Sequence, residues 1–148
     1  AALWSAPLLA AAAACISLAD TFQPCAELKA FLTSSLVPEL RRMPVWGPVV
    51  LALGAGFGEE ALFRGVMQPG LAAAAGGSDA GGAAGLAIAS LAFGASHAVT
   101  PLYFVWATAA GVLFGLEYEY EGLAAAAWTH TGYDAAVFYY MMAAWGGE

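Results

Sequence analysis

The stretch FGEEALFRGVMQPGL, Phe57 to Leu71, places two adjacent carboxylates and an arginine at the end of the apolar run WGPVVLALGAG, Trp46 to Gly56. A charge inside hydrocarbon is expensive and is kept where it does something. In a helix, Glu60 and Arg64 stand four apart on one face with the glutamate nearer the N-terminus, the favourable order for an ion pair. Glu59 lies about 100° round the helix, with no local partner of opposite charge. Desolvation disfavours the charged form of such a carboxylate and brings it toward the range of a general base or acid.

Composition sets the surroundings. The chain has 148 residues, of which 61% are hydrophobic and 10% charged, and its mean hydropathy is +0.72. A soluble domain carries about a quarter charged residues. The expectation is an all-α, polytopic transmembrane helix bundle of multi-pass type with a polar intramembrane cavity, and the lipid bilayer as its first partner. A net charge of −7 leaves no basic patch for phosphates and argues against nucleic acid. Cys15 lies in an apolar run and Cys25 in a polar segment, which argues against a disulfide between them and for packing roles. The chain opens AALWSAPLL without methionine and reads as a fragment or a processed form.

About five spans are expected: Leu3 to Leu18, Trp46 to Leu71 with a break near Pro69-Gly70, Ala83 to Val99, Leu102 to Leu116, and Leu123 to Trp145. Residues 1–45 read as an N-terminal span with an interfacial amphipathic helix around Ala26 to Val37, and residues 46–148 as the core bundle. Trp4, Trp46, Tyr118, Tyr120, Tyr139, Tyr140 and Trp145 suit interface belts. GGSDAGG reads as a flexible loop, AVTP as a tight link and EYEYEG as a solvated acidic turn. GAGFG (Gly54 to Gly58) and GVLFG (Gly111 to Gly115) are small-xxx-small patterns that let helices approach closely. Lys29, Arg41 and Arg42 share one loop, which places that loop, the AVTP link and the C-terminus on the cytosolic or stromal side. A bacterial inner membrane and a plastid membrane suit the composition equally.

Two further polar sites fall in apolar stretches. FGASHA carries His97 four residues after Phe93, and HTGYD carries His130 four residues before Asp134. At 1.5 Å per residue, Glu59 lies about 20 Å into its span, His97 about 20 Å from the opposite side, and His130 about 12 Å from that side. In a hydrocarbon core of about 30 Å, three helices can point these groups into one cavity.

EEALFR fits EExxxR, FGASH fits FxxxH, and HTGYD fits Hxxx followed by Asn or Asp. In this order on successive apolar spans, over about Trp46 to Trp145, they resemble the CAAX-prenyl-protease and bacteriocin-processing (CPBP) family of intramembrane proteases. The resemblance implies an intramembrane endopeptidase that hydrolyses a peptide bond of a membrane-bound peptide or protein, including prenylated CAAX C-termini, with an activated water. It implies Glu59 as general base with His97 holding the water, Glu60 and Arg64 structuring the site, and His130 with Asp134 stabilising the oxyanion. Many members carry Asn at the position of Asp134. An ionised carboxylate cannot donate to an oxyanion, so Asp134 is protonated, orients His130, or helps to hold a metal. Members are described both as metalloproteases and as metal-independent glutamate proteases. A zinc ion would take Glu59, His97 and His130; the chain has no HExxH, which leans toward the metal-independent form. Two alternatives stand beside the enzyme: a non-catalytic scaffold or immunity-type binder that keeps the fold, and a transporter fragment using the acids as a proton relay.

Overall fold

In the computed structural model, which describes residues 2–145, every regular element is helical and no strand occurs among the described residues. The order is α1 (Ala2–Leu18), α2 (Gln23–Ser35), α3 (Val37–Arg42), α4 (Gly47–Leu62), a π-helical turn (Phe63–Met67), α5 (Gln68–Ala74), α6 (Asp79–Ser96), α7 (Pro101–Glu121) and α8 (Leu123–Trp145). Residues 1 and 146–148, the outer ends of the two expected regions, lie outside the described residues.

The punctuation follows local chemistry. Ser78 caps α6 by accepting from the Gly81 amide, after Gly76 and Gly77 take positive φ in the GGSDAGG loop. Thr100 caps α7 by accepting from the Tyr103 amide, and Pro101 opens the helix where no N–H is needed. The sequence α4–π turn–α5 is continuous from Gly47 to Ala74. The expected break at Pro69-Gly70 is not there; the irregularity comes one turn earlier. A proline ring crowds the carbonyl four residues back, which here is Gly65, and the widened turn contains that residue.

The acidic turn is also revised. EYEYEG is the last turns of α7, which runs to Glu121 and passes into α8 through the single residue Gly122 at φ 89°. Glu117 is fully buried and accepts from Thr129 Oγ1 at 2.6 Å. Glu119 accepts from Gln68 Nε2 at 2.9 Å, and Glu121 from Trp4 Nε1 at 2.7 Å. Trp145, expected in a belt, packs instead with Val37, Leu40 and Met141.

α4 packs along α8, α6 along α7, and α7 and α8 against each other, with α5 against α6. α1 reaches both α7 and α8, α2 touches α7, and α3 lies on α8. Leu8 of α1 packs with Ala110 and Phe114, while Phe63, Phe93 and Ala107 form a cluster between the π turn, α6 and α7. By length and composition no single described helix is long and apolar enough to cross a membrane; Trp4–Leu18 with Gln23–Arg42 passes jointly, across a bend of 97°. At 1.5 Å per residue α7 and α8 are about 31 and 34 Å long, so for these two it is polar content rather than length that falls short.

Close approach depends on glycine, but not at every position expected. A Cβ on Gly111 would stand 3.1 Å from Ser90 Cα and 3.2 Å from Arg64 Nη2, and one on Gly115 would meet Leu86 and Gln68. In GAGFG the outer glycines, Gly54 and Gly58, face open space. The contact is made by Gly56, where a Cβ would meet the Thr131 side chain and lie 2.8 Å from Thr131 N and 2.9 Å from Ala127 O. Gly56→Ala is therefore expected to lower stability by about 1–3 kcal/mol through overpacking. Gly54→Ala should raise it by about 0.5–1 kcal/mol through backbone entropy. Thermal unfolding of the two variants in detergent checks the contrast.

Candidate active site

The site is assembled from four elements around one buried carboxylate. Glu60 and Arg64 are both fully buried, and Glu60 Oε1 accepts from Arg64 Nη1 at 3.1 Å. The same oxygen lies 2.9 Å from His130 Nδ1, so α8 is tied to α4 at this atom. Arg64 Nη2 donates to the Gly111 carbonyl at 2.7 Å, which adds α7. The guanidinium also lies over the Phe93 ring, 4.8 Å from its centroid, which adds α6. EExxxR thus holds the other helices together as well as pairing internally.

His130 is oriented on all sides. Its ring stacks on Phe114 with centroids 4.6 Å apart, and the edge of Phe93 closes another face at 5.8 Å. Nδ1 faces Glu60, and Nε2 lies 3.4 Å from Asp134 Oδ2. Both carboxylates can accept at once only from a ring that carries both protons.

His97 ends α6 as its C-cap rather than standing within the helix. Its Nδ1 lies 2.8 Å from the Phe93 carbonyl and 3.1 Å from Ser96 Oγ. A carbonyl can only accept, so Nδ1 carries a proton, and in the neutral ring Nε2 then offers a lone pair. That nitrogen stands 3.6 Å from Glu59 Oε2. Glu59 Oε2 is buried and makes no hydrogen bond. The two acids of EExxxR have therefore parted: Glu60 is committed to the packing of four helices, and Glu59 faces His97 with an oxygen to spare.

Glu59, His97, His130 and Asp134 all line one cavity of about 210 Å³. Helical rise alone puts Glu59 and His130 nearly level, with His97 within several ångströms. The wall also includes Tyr103, Trp106, Ala110 and Phe114 on α7 and Tyr133 on α8, which no motif marks. Trp106 Nε1 donates to Tyr133 Oη at 3.0 Å, which pins the two rings across the cavity. A signal for the α7 residues exists, since 103, 106, 107, 110 and 114 form one face at helical spacing. Tyr133 lies inside HTGYD beside a residue already singled out.

A metal shell does not fit this arrangement. A ligating histidine must offer a bare nitrogen, and His130 turns both of its nitrogens toward carboxylates. Among the described residues no three His, Cys, Asp or Glu side chains are grouped to hold an ion. Glu59 and His97 face each other, and His130 is engaged with Glu60 and Asp134.

Removing Glu60 would leave the Arg64 charge buried with the Gly111 carbonyl as its hydrogen-bond partner. Glu60→Ala is expected to cost about 3–5 kcal/mol of stability. Glu59→Gln should leave the unfolding temperature near that of the wild type. Thermal unfolding in detergent separates the two acids, and equal losses would assign Glu59 to packing as well.

No curated protein and no solved structure matches the chain. One family model does, that of the type II CAAX prenyl endopeptidase Rce1-like proteins, over residues 41–136. The matched segment contains Glu59, His97, His130 and Asp134, which line one cavity, and Glu60 and Arg64, which are buried behind His130. The chain belongs to the Rce1-like family of type II CAAX prenyl endopeptidases.

Proposed function

We propose that the protein is an intramembrane endopeptidase that hydrolyses a peptide bond of a membrane-associated protein, a prenylated C-terminus being one candidate substrate, with Glu59 as general base. The observation that carries this reading is the buried, hydrogen-bond-free Oε2 of Glu59, 3.6 Å from a histidine nitrogen on the wall of a cavity. A base that activates water needs a free oxygen in a site that restricts bulk solvent.

In this mechanism a water beside Glu59 and His97 attacks the substrate carbonyl. Glu59 takes one of its protons while His97 Nε2 accepts a hydrogen bond and holds the water. The carbonyl π electrons move to oxygen, and the Nε2–H of His130 turns from Asp134 to meet the tetrahedral oxyanion. Glu60 supports that donor from the far side of the ring, where it accepts at Nδ1. Asp134, beside the same nitrogen, orients the ring. Glu59 then passes its proton to the leaving nitrogen as the C–N bond breaks. Arg64 stays outside the chemistry and holds Glu60 in place.

The bilayer is the proposed setting, with α1 and the α4–α8 unit crossing or entering it as a bundle. Large apolar side chains remain exposed on the outer faces of several helices, among them Val50, Leu62, Val66, Leu91, Val105 and Trp128. Lipid would cover them. Glu60 and Arg64 are turned inward and fully buried, the arrangement an intramembrane site requires. A non-catalytic scaffold would use the Glu60–Arg64–His130 lock equally well, but it gives no reason for Glu59 to be kept beside His97.

Purified protein in detergent should cleave membrane peptides, prenylated or plain. Glu59→Gln should abolish cleavage with the fold intact, and His97→Ala should slow it by about 10²–10⁴-fold. Full activity in Glu59→Gln would overturn the base assignment. Chelation should leave the activity unchanged. Stoichiometric bound zinc together with chelator-sensitive cleavage would return the reaction to a metal and require His130 to release its carboxylates.

A further inference from the structure

The two cysteines were expected to sit apart, in different environments, and to serve packing alone. The fold brings them together. Cys15 is in the last turn of α1 and Cys25 in the first turn of α2, with a short connection between the helices. Their sulfurs are 2.7 Å apart and both thiols are free. A covalent S–S bond is roughly 2.05 Å, so closing the pair takes a movement well below an ångström. Both sulfurs line a cavity of about 90 Å³ between the N-terminal helices and α7 and α8. Cys15 is partly exposed, Cys25 is buried, and the neighbouring Asp20, Thr21 and Phe22 are exposed.

We propose that Cys15 and Cys25 form a reversible redox pair, a disulfide that staples the bend between α1 and α2. Neither residue lies in the segment matched by the family model, so the pair is a feature of this chain's N-terminal helices and does not depend on the proteolysis reading. The oxidant is a small-molecule or protein disulfide. The more exposed Cys15 thiolate attacks one sulfur of that disulfide, forms a mixed disulfide and releases one thiol. The Cys25 thiolate, already in contact, attacks the Cys15 sulfur and releases the second. Two thiols of the chain are oxidised, one external disulfide is reduced to two thiols, and the two protons lost by the cysteines end on the released thiols.

The position gives the staple a consequence. The cavity that holds the two sulfurs shares Tyr103, Trp106, Tyr133 and Asp134 with the cavity of the candidate active site. α1 and α2 form the outer wall on that side, and they meet at a 97° bend. Closing the disulfide holds this angle, and with it the wall behind Asp134. Reduction frees it.

The chain has only these two cysteines, which makes the test unambiguous. Wild-type protein in detergent is treated with oxidised glutathione and then labelled with a polymer-linked maleimide. The expected result is loss of both labels together, no retained glutathione, an unfolding temperature raised by several degrees, and recovery of both labels after dithiothreitol. C25S should instead retain glutathione on Cys15, because no resolving thiol remains. Wild-type protein that keeps both thiols reactive, accumulates a stable glutathione adduct, or forms disulfide-linked dimers would overturn the pair.

Discussion

A carboxylate withdrawn from water must be compensated at once, and Glu60 meets that requirement in a way that organises the bundle. Its Oε1 receives Arg64 from its own helix and His130 from α8. Arg64 in turn reaches the Gly111 carbonyl on α7 and lies against Phe93 on α6. No pair of these contacts alone would repay the desolvation of two charges, because buried ion pairs gain little over apolar packing. Together they connect four segments far apart in sequence, so the cost of burial is offset by contacts that exist only in one arrangement of the helices.

That arrangement needs room for the guanidinium. Gly111 supplies it, since a side chain there would displace either Ser90 or Arg64 itself. Gly56 does the same between α4 and α8, one turn before Glu60. The π turn at Phe63–Met67 contains Arg64 and absorbs the crowding of Pro69. Backbone features that look like defects in a helix thus lie within a turn or two of the buried charges, where their geometry is used.

With Glu60 occupied, Glu59 is the acid whose energetics remain open. It pays for burial of one oxygen without a hydrogen bond in return, and its nearest basic neighbour is a histidine whose other nitrogen is already committed to a backbone carbonyl. The proposed chemistry rests on this asymmetry between adjacent residues. Asp134 shows the same principle: placed beside His130 Nε2, it suits orientation of the ring better than donation to an oxyanion.

The sequence by itself determined the helical class, the start of α7 at Pro101 and the pairing of Glu60 with Arg64. These follow from period, proline placement and spacing, which act within a few residues of chain. The start of α6 was misplaced: it begins at Asp79, inside GGSDAGG, which read as a loop to Ala83, and Ser78 caps it there. The sequence also misjudged what depends on neighbours distant along the chain. Glu117, Glu119 and Glu121 read as a solvated turn because nothing nearby announces Thr129, Gln68 or Trp4. Gly54 and Gly58 matched a packing pattern, yet Gly56 makes the contact, because the rotation of α4 against α8 chooses the face. Cys15 and Cys25 read as unrelated since a 97° bend, invisible in composition, brings them together. Only tertiary structure decided that Glu60 also meets His130 and that Glu59 faces His97, for that depends on where the two histidines stand once four helices have packed.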